Sequence, residues 1–167
     1  MVYYTIARIS ACNKEEQTEM ARRVLKDMLD YLSCNFSDIC ISRNGKPYFA
    51  NSNVHFNYSH SKHYVACAVS YHEVGIDIEE TSRHISDRVA KRYLENENDN
   101  IRKLEKWVRK EAYSKLKGLG LLMKFQTINL DEITNSNIFI SNQDYMCSIY
   151  SNCCDAVFKP IYLKQRK

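Results

Sequence analysis

Apolar and polar positions along the chain fall into short β-like runs separated by two long helical stretches. Val2 to Ile9 (VYYTIARI) is rich in β-branched and aromatic residues and reads as a strand. Asn13 can cap a helix from Lys14 to Leu32, whose apolar stripe is Met20, Val24, Leu25, Met28, Leu29 and Leu32. Asp38 to Ser42 reads as a short strand, and Asn44-Gly45 as a turn before Lys46-Pro47. Val54 to Tyr58 and Tyr64 to Tyr71 read as strands, the second (YVACAVSY) apolar enough to be covered on both faces. Val74 to Glu79 follows a tight His72-Glu73 connection, so a hairpin with the preceding strand is expected. Ser86 to Leu94 reads as a helix and Glu95 to Asn100 (ENENDN) as a polar loop. Ile101 to Leu116 is a second long helix, ended by the glycines at 118 and 120. Weaker strand signals lie at Phe125–Leu130, Asn137–Ile140, Tyr145–Tyr150 and Ala156–Phe158.

The order strand, helix, strands occurs in each half, with a seam near Thr81-Ser82. The expected architecture is α+β: two related halves, residues 1–82 and 83–167, built on mostly antiparallel sheet. A chain of 167 residues can bury one such core or two small halves that share it.

Charge and cysteine usage narrow the setting. A net charge of +4 without a long basic run argues against nucleic acid and suits an anionic substrate or an acidic protein partner. The seven cysteines are odd in number and contain no C-x-x-C, which favours a reducing cytoplasm over a disulfide framework. Neither a signal peptide nor a membrane-length apolar run is evident, so a cytoplasmic protein without membrane association is expected.

Candidate chemistry is concentrated in a few segments. In Gly75-Ile76-Asp77-Ile78-Glu79 strand alternation puts Asp77 and Glu79 on one face and the two isoleucines on the other. Two carboxylates facing one way are often a solvated surface, but the flanking isoleucines argue for a packed strand. On the second long helix Glu111 and Lys115 stand one turn apart at the border of the apolar stripe Leu104, Val108, Ala112 and Leu116. Taken alone, that pair is an i,i+4 ion pair worth ~0.3–0.5 kcal/mol. Taken together, three carboxylates and a lysine form a cradle for a hard divalent cation that handles phosphate. Ser59 and His60, in Phe56-Asn57-Tyr58-Ser59-His60-Ser61, can donate to phosphate. They are poorly placed as a nucleophile pair, because adjacent side chains rarely meet. The spacing of His55, His60, His63 and Cys67 fits no common structural zinc site.

Four segments in this order, GKPYF at 45–49, FNYSHS at 56–61, GIDIE at 75–79 and WVRKEAYSKLKGLGL at 107–121, resemble the signature blocks of 4′-phosphopantetheinyl transferases. The resemblance extends over residues 14 to 160. It implies transfer of the 4′-phosphopantetheine arm of coenzyme A to a serine of an apo acyl or peptidyl carrier protein, releasing 3′,5′-ADP. The carriers of such enzymes serve fatty-acid, polyketide or nonribosomal peptide synthesis. By the same resemblance Asp77, Glu79 and Glu111 bind Mg2+, Glu111 is the general base, and Lys115 neutralises the phosphate and assists the leaving group. Lys46 and Pro47 border the nucleotide, and Ser59 and His60 hold phosphates. Segments ahead of GIDIE resemble the longer class of the family, a monomer with two pseudosymmetric halves and the active site between them. Two departures stand out. The N-terminal part is compact, and Gln17 stands where relatives often carry an arginine. That leaves Arg22, Arg23, Lys26 or Arg43 for the 3′-phosphate of coenzyme A. An additional acidic residue used by some members falls within Glu95–Asp99.

Two other classes compete. A Mg2+-dependent nuclease or phosphohydrolase of the D…E-x-K type needs its Glu and Lys on a strand, whereas Lys110-Glu111 lies on a helix. A non-catalytic coenzyme A-binding module is expected to lose a metal ligand or the lysine, and none is lost.

Overall fold

A computed structural model describes residues 1–11, 13–34, 38–119 and 125–163. The chain runs β1 (Val2–Arg8), α1 (Lys14–Tyr31), β2 (Ile39–Ile41), β3 (Pro47–Phe49), β4 (His55–His60), β5 (Tyr64–Ser70) and β6 (Val74–Glu80). It continues with α2 (Asp87–Tyr93), α3 (Asn100–Lys117), two 3-10 turns at Phe125–Thr127 and Leu130–Glu132, then β7 (Asn137–Ser141), β8 (Tyr145–Ser151) and β9 (Phe158–Pro160). The result is a mixed α+β protein.

Two larger sheets and two long helices stack as four layers. The first sheet has the order β4-β5-β1-β9, antiparallel except for the β1–β9 pair, and the second the order β6-β8-β7. Val65, Cys67 and Val69 on one face of β5 pack against Ala21, Val24, Leu25, Met28 and Leu29 of α1. From the opposite face Ala66 and Ala68 meet Ile76 and Ile78 of β6 and Cys147 and Ile149 of β8. Alternation along β5 therefore feeds two cores, which explains its apolar run. Leu104, Val108, Ala112 and Leu116 of α3 close the outer face of the second sheet, with Met146 and Tyr150 of β8.

The expected β5–β6 hairpin does not form. Both edges of β5 are taken, by β1 and β4, so β6 crosses to the second sheet and pairs with β8. Its other edge is stitched to the first sheet by side chains. Asn57 Oδ1 accepts from the Ile76 N–H at 3.0 Å, and Glu80 Oε1 accepts from the His63 N–H at 2.7 Å. The chain crosses from the first sheet to the second at 71–73, and β9 returns to the first sheet beside β1. Phe125–Leu130, expected as a strand, forms 3-10 turns instead. Its buried residues are Phe125 and Ile128, a spacing of three that suits such a turn and not a strand.

Helix α3 is tied down at both ends. Asp99 caps its first turn by accepting from the Arg102 N–H at 2.9 Å, and Gly118 closes it in the left-handed conformation at φ 65°. Midway, the buried Lys110 ammonium donates to the Tyr93 carbonyl at 3.0 Å and the Phe125 carbonyl at 3.1 Å, and pairs with Glu95. Glu95 and Asn96 hold left-handed φ values of 54° and 57°, so this ion pair clamps a strained turn onto the helix. Partial burial alone would raise the Glu95 carboxyl, but Lys110 and Lys106 outweigh it and hold it below the usual glutamate range. A depressed carboxyl contributes stability above its unfolded pKa and loses it as pH falls through its folded value. Glu95→Gln should therefore lower Tm at neutral pH, with the difference from wild type shrinking as pH falls below the ordinary glutamate range in thermal melts.

Candidate functional site

The outer face of β6 places Gly75, Asp77 and Glu79 in a row beneath α3. A Cβ on Gly75 would lie 2.2 Å from both the Ala112 carbonyl oxygen and the Leu116 nitrogen. Only glycine lets the helix backbone come so close. That approach brings the Glu111–Lys115 turn of α3 over Asp77. Lys115 Nζ sits 2.6 Å from Asp77 Oδ1 and donates to Ser59 Oγ at 2.9 Å, while the Ser59 hydroxyl donates to Asp77 Oδ1 at 2.8 Å. Asp77 is 4% exposed, and its second oxygen, Oδ2, is buried without a hydrogen-bond partner.

These groups line a cleft of about 280 Å³ with Tyr58, His60, Glu79, Arg83, Trp107 and Glu111. Ser59 and His60 reach it from opposite faces of β4: Ser59 points to Asp77, and His60 Nε2 lies 3.4 Å from Thr18 Oγ1 on α1. Burial, then the Asp77 charge, raises the Glu111 carboxyl above the ordinary glutamate value against the pull of Lys115 and Arg83. His60 is pushed below the usual histidine value by burial and by Lys115 and Lys14, only partly offset by Asp77. A carboxylate that holds its proton more tightly than usual, set beside a lysine and hydroxyl donors, can accept a proton next to an anionic ligand.

The sequence profile of the 4′-phosphopantetheinyl transferase superfamily matches residues 73–157, half of the chain. The chain belongs to that superfamily. It is 33% identical over 141 residues to the 4′-phosphopantetheinyl transferase gsp of Aneurinibacillus migulanus, covering 76% of this chain and 59% of that protein. It is also 33% identical over 98 residues to the 4′-phosphopantetheinyl transferase Sfp of Bacillus subtilis strain 168, covering 52% of this chain and 43% of that one. The aligned regions thus span about half the length of these curated relatives.

Six of the eight residues that the transferase resemblance implies for the site meet in the one cleft: Ser59, His60, Asp77, Glu79, Glu111 and Lys115. Lys46 and Pro47 do not. They line a neighbouring cleft of about 380 Å³ with Tyr48, Phe49, His55 and Glu73. There the Lys46 ammonium pairs with Glu73 and donates to the Leu116 carbonyl at 3.2 Å, bracing the C-terminal end of α3. The Glu95–Asp99 acids also stand elsewhere. Glu95 and Glu97 pair with Lys106, and Asp99 caps α3. Sequence reasoning missed Arg83, which forms an ion pair with Glu79 and lies 5.4 Å above the centre of the Trp107 ring. The signal was its position four residues after Glu79, in a turn that reverses beside the carboxylate.

As a metal centre, Asp77, Glu79 and Glu111 fit a hard divalent cation by donor chemistry, since every donor is a carboxylate oxygen. The partnerless buried Asp77 Oδ2, and the burial and Asp77 charge that together raise Glu111, are what a cation would relieve. In this structure, among the described residues, no three such side chains close on a common point. Lys115 holds Asp77 and Arg83 holds Glu79.

Proposed function

We propose that this chain transfers the 4′-phosphopantetheine arm of coenzyme A to a serine of an apo acyl or peptidyl carrier protein, giving holo-carrier and 3′,5′-ADP. The observation that carries the reading is the buried Asp77, bonded to Lys115 and Ser59 and facing Glu111, in a member of this superfamily. A Mg2+ ion held by Asp77, Glu79 and Glu111 would supply positive charge against the diphosphate. Glu111 accepts the proton of the carrier serine as its oxygen bonds to phosphorus. Lys115 bonds the phosphate under attack and donates to the departing 3′,5′-ADP oxygen as the old P–O bond breaks. Ser59 and His60 hold phosphate oxygens, and Lys46 and Pro47 border the nucleotide from the adjoining cleft. Phosphoryl-type transfer asks a protein for little beyond such positioning and charge. The two sheet-and-helix layers are read as pseudosymmetric halves of a cytoplasmic monomer, with the site between them and no role for nucleic acid or membrane. Among the described residues no helix is long and apolar enough to cross a membrane.

The test is incubation with coenzyme A, Mg2+ and a panel of apo-carriers. One carrier should become heavier by one phosphopantetheine, with 3′,5′-ADP in equal amount. Nucleic-acid cleavage instead would make the chain a nuclease, and coenzyme A binding without transfer a binding module. Lys115→Ala should slow single-turnover transfer by about 10²–10³, because charge on the phosphate grows in the transition state. Its coenzyme A Kd should rise by less than about tenfold. Equal losses would make Lys115 a ground-state ligand only.

A further inference from the structure

Two cations occupy the carboxylate row: Lys115 on Asp77, at 2.6 Å, and Arg83 on Glu79. Both line the cleft, and Arg83 is partly exposed along its wall. We propose that Arg83 is a second diphosphate-binding residue, exchanged together with Lys115 from the carboxylates to the ligand when a divalent cation takes the carboxylates. This rests on the coenzyme A reading of the same cleft.

Charge balance requires the exchange. Asp77 and Glu79 are neutralised one for one by Lys115 and Arg83. A dication added alone would meet two cations already bonded to its ligands. A diphosphate added alone would meet cations already spoken for. Adding both together brings two positive and two negative charges, so every carboxylate and every cation keeps a counter-charge throughout. Arg83 suits the second role. Its planar guanidinium presents a fork of donors that matches phosphate oxygens, and the Trp107 ring beneath it keeps the head in the cleft when Glu79 lets go. A lysine four residues after Glu79 would lack the fork and would have no planar group to stack on the ring. The structure also explains why Asp77 and Glu79 do not converge: Lys115 and Arg83 hold them in place until a ligand relieves those partners.

The inference predicts signs that a merely structural arginine would not produce. Mn2+ binding is followed by its electron paramagnetic resonance signal, with Mn2+ and coenzyme A alone as the reference for chelation. Arg83→Gln should bind Mn2+ more tightly than wild type without coenzyme A, because an internal competitor is gone. In wild type, coenzyme A should tighten Mn2+ binding by about tenfold or more, and in Arg83→Gln this enhancement should shrink. The reciprocal variant, Glu79→Gln, releases Arg83 and should bind coenzyme A more tightly than wild type in EDTA, read by the fluorescence of Trp107, the single tryptophan. Weaker or equal Mn2+ binding by Arg83→Gln, an unchanged enhancement, or no gain in coenzyme A affinity for Glu79→Gln overturns the exchange. Carrier modification by wild type is measured separately. Transfer without these shifts removes the exchange and leaves the transferase reading; the shifts without transfer on any carrier do the reverse.

Discussion

Alanine at Asp77 or at Glu111 is expected to reduce phosphopantetheine transfer by about 10²–10³ or more, with little change in thermal stability. Asp77 is buried, yet its contacts are polar: it holds the Lys115 ammonium and the Ser59 hydroxyl together on one carboxylate oxygen. Truncation frees an ammonium that is 28% exposed and can turn to water, so no strictly buried charge is stranded. Loss of Asp77 also removes a charge that destabilises ionised Glu111. The two effects on stability oppose each other, whereas both act against transfer. Glu111→Ala removes the proposed proton acceptor and leaves the helix intact, since alanine is the best helix former. The measurement is single-turnover carrier modification beside a thermal melt. Full activity in EDTA, or an active Glu111→Ala, would exclude this cleft as the site.

Gly75→Ala is expected to be the most damaging glycine substitution among the described residues. The added methyl would stand 2.2 Å from the Ala112 oxygen and the Leu116 nitrogen, and 2.8 Å from the Leu116 Cα. These are backbone atoms of α3, not the tip of a flexible side chain, so the helix must lift from β6. Overpacking of this kind costs about 1–3 kcal/mol, which corresponds to a Tm drop of several degrees, about 2–4 °C per kcal/mol for a chain of this size. Function should suffer more than stability. The 2.6 Å Lys115–Asp77 contact spans the helix–strand gap that the methyl widens. Unchanged Tm and transfer would mean that α3 can shift without disturbing the cleft.

Local physics made much of this protein legible from its residues. Periodicity places α1 and α3, whose apolar stripes recur every three to four positions, and Asn13 and Gly118 mark a start and an end that the structure keeps. Alternation puts Asp77 and Glu79 on the face opposite Ile76 and Ile78, because side-chain direction in a strand is decided by the backbone alone. Which strands pair is a different matter. A short link between β5 and β6 favours a hairpin, but β1 and β4 compete for the edges of β5 and win them. No local pattern encodes that competition. Neither does one encode the partners of charged side chains. Lys115 meets Asp77 across 38 positions of sequence, Lys46 reaches Glu73 and α3, and Arg83 comes to lie over Trp107. Long charged side chains turn toward whatever the packed layers bring within reach, and the layers are set by burial of apolar faces. By itself, then, the sequence determined the helices, most strands, the shared face of the carboxylates and the chemistry they can carry. Tertiary structure alone decided that Lys115 holds Asp77 at rest, because that depends on how closely Gly75 lets α3 approach β6.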